Sequence, residues 1–107
     1  MSFDTIYKGS TIVTHNKTYI SDIAVKDGKI VKIGNLSEEE ASQIIDLTNL
    51  HLLPGVIDTQ VHFREPDSTD VEDLESGSKA AVLGGVTSLF EMPNTNPPTA
   101  NQTEFNK

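Results

Sequence analysis

The sequence predicts an α/β protein in which a β-rich N-terminal region precedes a strand–helix–strand unit. Residues 3–52 contain short runs dominated by β-branched residues, which suit a pleated, half-buried sheet. From residue 53 the pattern changes to an apolar strand, a helix with capping signals at both ends, and a second strand. We therefore expect two regions, 1–52 and 53–107.

The first region contains four predicted strands, namely Thr11–Thr14, Tyr19–Val25, Lys29–Ile33 and Gln43–Leu47. Asp27 and Gly28 separate the second and third strands and predict a two-residue hairpin, because a type I′ turn needs positive φ at both central positions. Gly34 is expected to end the third strand. The acidic stretch 37–40 is compatible with one helical turn or a loop, and we expect the loop.

The second region is predicted to form a βαβ unit. Its first strand, over 52–58, has a nearly continuous apolar face, the pattern of a strand buried on both sides. Thr69 and Glu72 fit a capping box that starts the helix, and the glycines at 84–85 end it. The second strand is expected over 86–91. Short links between these elements predict parallel strands.

A second capping pattern near the end of the sequence, at Asn101 and Glu104, predicts the start of another helix. A lone βαβ unit cannot cover both faces of its own sheet. We therefore expect the 107 residues to be the N-terminal part of a longer protein, and we expect exposed strand edges to favour association or poor solubility.

Composition excludes several function classes. The formal net charge of −8 argues against nucleic acid or an anionic membrane as the main partner. Without cysteine there are no disulfides and no thiolate metal ligands. No apolar run approaches the roughly 20 residues that span a bilayer, and the N-terminus does not resemble a signal peptide. The cytoplasm is the expected compartment.

Two stretches carry candidate chemistry. In the first, alternation along a strand places the four side chains of Asp58, Gln60, His62 and Arg64 on one side. Such a polar row needs partners if buried, and a metal with an anionic ligand, a hydrogen-bond network or solvent would each satisfy it. The second stretch is the proline-bracketed loop 91–98, which is either a stiff turn or, in a (β/α)₈ barrel, part of a ligand site.

Together these stretches resemble the dihydroorotases of the amidohydrolase superfamily, in register from about Asp22 onward. The resemblance is carried by the segments Leu53–Asp58, Val61–Pro66, Glu72–Leu74, Gly84–Thr87 and Met92–Thr95 with Pro97–Pro98. It implies a β-rich N-terminal subdomain followed by the first βαβ unit of a (β/α)₈ TIM-like barrel, incomplete in this chain. Arg64 and Asn94 together favour dihydroorotase over hydantoinase-like and allantoinase-like relatives.

The resemblance also implies residue roles. His62 would bind a catalytic zinc ion, one of one or two in the full-length protein, and Asp58 would support that ligand by hydrogen bonding. Arg64 and Asn94 would hold the substrate carboxylate. In this family the other metal ligands and the general base come from later barrel strands. No catalytic residue is therefore expected within this chain, which we expect to be inactive alone.

Gln60 departs from the family pattern, because it stands where the first metal-binding histidine belongs. A glutamine oxygen is a weak neutral ligand for zinc. Asp67, where many relatives have glycine, is a smaller departure.

The resemblance implies that the full-length protein is a zinc-dependent dihydroorotase that interconverts dihydroorotate and N-carbamoyl-L-aspartate in pyrimidine biosynthesis. The alternatives are a non-catalytic homologue with a scaffold role and a cyclic-amide hydrolase with another substrate.

The expected partner is this small-molecule substrate, with no nucleic acid and no membrane. The resemblance leaves open assembly into a homo-oligomer.

Overall fold

The computed structural model describes residues 2–106, which form two compact units divided between Pro54 and Gly55. The first unit is a five-stranded sheet whose strands are β1 (Phe3–Val13), β2 (Thr18–Lys26), β3 (Lys29–Gly34), β4 (Ala41–Asp46) and β5 (His51–Leu52). The strand order is β3-β2-β1-β4, and β5 also pairs with β1. The pairs β1–β2 and β2–β3 are antiparallel, whereas β4 and β5 run parallel to β1.

The core of this sheet is small. Ile6 and Ala24 face each other across β1 and β2 and are fully buried together with Leu36, which follows β3. Asp22 holds the surrounding backbone, because its carboxylate accepts hydrogen bonds from Gly9 N at 2.8 Å and Leu36 N at 3.0 Å. One β2 side chain therefore ties the middle of β1 to the loop after β3.

The predicted hairpin is confirmed. Asp27 and Gly28 have φ values of 50° and 70°, so both central turn residues take the positive φ that a type I′ turn needs. Gly34 ends β3 as expected, and residues 37–40 form a turn and loop rather than a helix. The first strand is longer than predicted, since β1 begins at Phe3. Its register shifts between Tyr7 and Ser10, around Gly9.

The second unit contains β6 (Val56–Val61), α1 (Leu74–Leu83), β7 (Val86–Glu91) and α2 (Gln102–Phe105). The strands β6 and β7 pair in parallel, with α1 between them in sequence, as the pattern predicted. The expectation that β6 is buried on both sides is wrong for this chain. The side chains of Val56 and Ile57 are 53% and 59% exposed, because neither helix within residues 2–106 packs on β6.

The start of α1 was also predicted wrongly. The helix begins at Leu74 rather than after Thr69, with Asp73 as its N-cap and Ser76 completing the capping box. The preceding residues are used in turns, since Ser68 O accepts a hydrogen bond from Val71 N at 3.0 Å. The glycines at 84–85 end α1 as predicted, and Asn101 caps α2. None of the helices within residues 2–106 has the length and apolarity to cross a membrane.

Candidate functional site

The candidate site lies where β6 and β7 end. His62 and Arg64 follow the last residue of β6, and Asn94 follows the last residue of β7 by three positions. Since the strands are parallel, their carboxyl ends meet at one edge of the sheet, the edge at which ligands bind in α/β proteins. The topology therefore brings together two loops that are far apart in sequence.

A polar cavity of about 120 Å³ opens between these loops. Its lining is Phe63, Arg64, Pro66, Asp67, Ser68, Asn94, Thr95 and Asn96. Arg64 and Asn94, the two residues expected to hold a substrate carboxylate, thus face the same space. Together they present a guanidinium and an amide, both of which can donate hydrogen bonds to an anion.

Arg64 is the only arginine of the chain. Its side chain is exposed, and within the described residues its guanidinium takes part in no hydrogen bond or ion pair; the ion pairs there join Lys32 to Glu39 and Lys79 to Glu75. A guanidinium presents donors in a planar fork that matches a carboxylate. Arg64 is thus available for an external anion.

His62 is linked directly to the second loop. Its Nδ1 lies 3.0 Å from Asn94 Oδ1. Which of the two groups donates this hydrogen bond depends on the ring tautomer and on the end of the amide that faces the ring. The structure therefore joins His62 and Asn94 by a hydrogen bond and joins Asn94 and Arg64 by a shared cavity.

Glu91, the last residue of β7, was assigned no role from the sequence, yet it fixes the backbone beside His62. Its Oε2 accepts a hydrogen bond from Phe63 N at 3.0 Å, and Met92 N donates to Val61 O at 2.9 Å. The other carboxylate oxygen, Oε1, is buried and has no hydrogen-bond partner among residues 2–106.

Phe63 anchors the same segment to the helix. It is buried to 8% exposure, with His62 and Arg64 exposed on either side of it. Its ring lies against Gly77 of α1 so closely that a Cβ on Gly77 would be 2.3 Å from Phe63 Cε1. The alternation of exposed and buried residues over 62–64 keeps both polar side chains on the open side.

The loop after Arg64 is tied to the N-terminus of α1. Glu65 Oε2 accepts a hydrogen bond from Leu74 N at 2.8 Å, and Asp73 Oδ1 accepts one from Ser76 N at 2.7 Å. These bonds satisfy backbone groups that a helix start leaves unpaired. The hydrogen bond from Ser76 N lowers the pKa of Asp73 below its ordinary value, with a smaller contribution from the Ser76 side chain.

Asp67 lines the cavity with a backbone φ of 106°. This conformation favours glycine, and an L side chain adopts it only with strain. The structure thus gives a physical reason for the glycine that the related enzymes were expected to have here.

Asp58 and Gln60 do not reach the cavity lining. The pairing of β6 with β7 shifts register between Asp58 and Val61, with one more residue on β6 than on β7, as in a β-bulge. Asp58 Oδ1 instead accepts a hydrogen bond from Gln60 N at 3.0 Å. The expected row of four polar side chains along one regular strand is wrong, since the strand is irregular and ends before His62.

The metal implied by the resemblance needs a set of donors. Among residues 2–106, no three His, Asp or Glu side chains lie together as metal ligands. His62 offers one imidazole nitrogen, and the nearby Gln60 offers only a weak amide oxygen. These residues alone therefore do not fit a zinc site.

Comparison with known proteins identifies a family for the part of the chain that contains the candidate site. The profile described as the amidohydrolase family matches residues 51–105, which include both loops of the site. The chain belongs to the amidohydrolase family. The β-rich first unit is what the sequence predicted for the N-terminal subdomain of such proteins.

The amidohydrolase relatives include allantoinases. One from Salmonella choleraesuis (strain SC-B67) is 43% identical over 103 residues, covering 95% of this chain and 22% of the relative. Another from Bacillus velezensis is 43% identical over 93 residues, covering 87% of this chain and 20% of the relative. The chain thus spans about a fifth of the length of the curated relatives it matches.

Solved structures of hydantoinases are also similar to this amidohydrolase chain. The L-hydantoinase (dihydropyrimidinase) from Arthrobacter aurescens has a TM-score of 0.87 and 37% identity over 96% of this chain and 23% of its own. A D-hydantoinase from Thermus sp. has a TM-score of 0.67 and 31% identity over 83% of this chain and 20% of its own. These relatives support a cyclic amidohydrolase and do not single out dihydroorotase.

Proposed function

We propose that the protein containing this chain hydrolyses the amide bond of a ring that carries a carboxylate. The first candidate substrate is dihydroorotate, which opens to N-carbamoyl-L-aspartate. The observation that carries the proposal is the shared cavity of Arg64 and Asn94, with His62 hydrogen-bonded to Asn94. An unpaired guanidinium and an amide in one small polar space suit a carboxylate, which dihydroorotate has.

The chain's own residues would bind and orient this substrate. The planar guanidinium of Arg64 would bind the carboxylate through its N–H donors, and the side-chain amide of Asn94 would donate a further hydrogen bond beside it. The carboxylate would thereby fix the ring near His62. The rest of the site is proposed from the resemblance alone: a (β/α)₈ barrel that begins with β6, and zinc held by His62 together with ligands from later strands.

A second candidate is a cyclic-amide hydrolase acting on allantoin or a hydantoin. It is favoured by the allantoinases at 43% identity and by the hydantoinase structure with a TM-score of 0.87. A non-catalytic scaffold role is the third, and Gln60 favours it because a metal-binding histidine is expected at that position.

The test is a substrate comparison with the protein that contains this chain, loaded with zinc. Dihydroorotate, allantoin and hydantoin are offered at equal concentrations, and ring opening is followed by liquid chromatography. The proposal predicts the highest kcat/KM for dihydroorotate. Preference for allantoin or hydantoin would support the second candidate instead.

The scaffold role predicts no turnover of any of the three substrates with zinc bound. The Gln60→His variant then distinguishes the reasons, because activity created by that single change would assign the loss to Gln60. Robust turnover by the unchanged protein would end the scaffold proposal. A cytoplasmic location and a small-molecule partner, with assembly into a homo-oligomer left open, complete the proposal.

A further inference from the structure

Asp67 brings a carboxylate to the cavity that also contains Arg64. These two are the charged residues of the cavity lining, and the other polar lining residues are neutral. They do not pair with each other, because within the described residues no nitrogen of Arg64 lies within 4.0 Å of a carboxylate oxygen of Asp67. The cavity therefore presents an unpaired cation and an unpaired anion to any ligand that enters it.

A short turn holds both charged residues. Arg64 O accepts a hydrogen bond from Ser68 N at 2.8 Å, which closes the chain around the residues between them. Ser68 O accepts in turn from Val71 N at 3.0 Å and ties this turn to the residues before α1. The buried ring of Phe63 anchors the other end of the segment. A ligand thus meets both charges on one stabilised segment of the chain.

The conformation of Asp67 is unfavourable for any residue except glycine. Its φ of 106° lies where an L side chain is strained. Residues held in such conformations cluster at functional sites. No contact within the described residues offsets the strain, because the exposed Asp67 side chain makes no hydrogen bond or ion pair there. We therefore expect the compensating interaction to come from a ligand in the cavity.

We propose that Asp67 is a specificity-determining residue whose carboxylate accepts a hydrogen bond from a ring N–H of the substrate. A carboxylate only accepts hydrogen bonds, so it favours a ligand atom that donates one. It repels the negative group of a ligand that offers no such donor. The cavity thus selects rings in which an N–H adjoins the carbon that carries the carboxylate, and it discriminates against rings substituted at that nitrogen.

Dihydroorotate has this arrangement, since one of its ring N–H groups is bonded to the carbon that carries its carboxylate. Arg64 and Asp67 present the complementary pair, a donor and an acceptor, to the same small cavity. The inference rests on the proposed function, which supplies the carboxylate that places the ring. It extends that function, because an anion site alone does not distinguish a ring N–H from a substituted ring nitrogen.

The test measures the binding of two ligands by isothermal titration calorimetry, using the protein that contains this chain. Orotate has the same carboxylate and adjoining N–H as dihydroorotate on a conjugated ring that resists hydrolysis, so its binding is measured without turnover. N-methylorotate, methylated at that ring nitrogen, keeps the carboxylate and lacks the donor. Asp67→Gly is expected to weaken orotate binding about tenfold, because a hydrogen bond to a charged group is lost. It is not expected to weaken the binding of N-methylorotate.

Two further variants serve as controls. Asp67→Asn keeps a neutral acceptor oxygen at the same place and is expected to retain part of the preference for orotate. Asp70→Gly is the matched control, because Asp70 neither lines the cavity nor has a positive φ, and it is expected to change neither affinity. Misfolding does not explain a loss in Asp67→Gly, since glycine favours the φ at this position.

The outcomes separate this proposal from the proposed function. Orotate binding that Asp67→Gly leaves unchanged or strengthens would overturn the role of Asp67, even in a protein that hydrolyses dihydroorotate. An Asp67-dependent preference for orotate without turnover of dihydroorotate would remove the proposed function and leave the role of Asp67. If neither orotate nor N-methylorotate binds, both proposals fail.

Discussion

Replacing Gly77 by alanine tests the packing that holds the candidate site. Gly77 lies in the middle of α1, and a Cβ there would be 2.3 Å from Phe63 Cε1 and 2.6 Å from Phe63 Cδ1. Ordinary carbon–carbon contacts are about 3.5–4.0 Å. Phe63 is buried and lies between His62 and Arg64, so the added methyl group must displace the segment that carries both side chains.

Two opposing effects set the magnitude of the Gly77→Ala change. In an unstrained helix interior, replacing glycine by alanine stabilises by about 1 kcal/mol. Overpacking a well-packed contact costs about 1–3 kcal/mol, and an overlap of more than about 1 Å belongs at the upper end of that range. We therefore expect a net loss of about 1–2 kcal/mol in the free energy of unfolding.

The assay is urea unfolding of the 107-residue chain. Ser78→Ala is the matched control, because Ser78 is the next residue of α1 and is exposed. It is expected to change stability by less than about 0.5 kcal/mol. Phe63→Leu combined with Gly77→Ala should recover part of the loss, since the smaller side chain leaves room. A Gly77→Ala chain as stable as the Ser78→Ala chain would refute the packing.

The remaining predictions concern backbone strain and helix capping. Asp67→Gly is expected to stabilise the chain by about 1 kcal/mol in urea unfolding, because it relieves the strain of a φ of 106°. Gly9→Ala should destabilise more than Gly28→Ala. Both have φ near 70°, but only at Gly9 would the new Cβ approach another side chain, Thr48 Oγ1 at 2.9 Å. The lowered pKa of Asp73 means that its capping contribution is present above the unfolded-state pKa and lost as pH falls through the folded-state value. Helix content by circular dichroism should therefore fall below about pH 4, and Asp73→Asn should remove that part of the pH dependence.

Each of these predictions has an outcome that would contradict it. Asp70→Gly is the control for Asp67→Gly, since Asp70 has no positive φ, and equal effects of the two would deny strain at Asp67. Equal losses of stability in the Gly9→Ala and Gly28→Ala chains would mean that the Thr48 side chain moves away from the new Cβ at no cost in free energy. An unchanged acid transition in the Asp73→Asn chain would assign the pH dependence to other carboxylates.

Much of the fold could be predicted from local pattern. The hairpin at Asp27 and Gly28 was predictable because only certain residues tolerate positive φ at two successive positions. The limits of β7 matched the predicted strand 86–91, which lies between the glycines at 84–85 and Pro93. The parallel pairing of β6 and β7 followed from the helix between them.

Other features depend on contacts that no local pattern contains. The helix α1 starts later than predicted because the carboxylates of Glu65 and Asp73 accept hydrogen bonds from the backbone N–H groups of its first turn. Thr69 lies in a turn before the helix. The register shift between Asp58 and Val61 removed these residues from a regular alternation that the sequence alone would support. The hydrogen bond of Glu65 to Leu74 N thus accounts for the later helix start, and the irregular pairing of β6 accounts for the lost alternation.

Some residues of the candidate site could likewise be selected from the sequence, whereas the contacts between them could not. Arg64 and Asn94 were selected from a family resemblance, and the structure places both at one cavity. The contacts of Glu91 with Phe63 N and of His62 with Asn94 could not be predicted, because each joins residues about 30 positions apart. Such pairs become visible only when the register of two parallel strands is known.

The central claim is that Arg64 recognises the substrate carboxylate. The most direct measurement compares kcat/KM for dihydroorotate and for its uncharged methyl ester, in the protein that contains this chain and in its Arg64→Gln variant. Because a hydrogen bond to a charged group contributes about 1.5–3 kcal/mol, kcat/KM for dihydroorotate should fall roughly 10- to 150-fold. That for the ester should change little, and Lys79→Gln should alter neither. Equal losses for the acid and the ester would contradict the account.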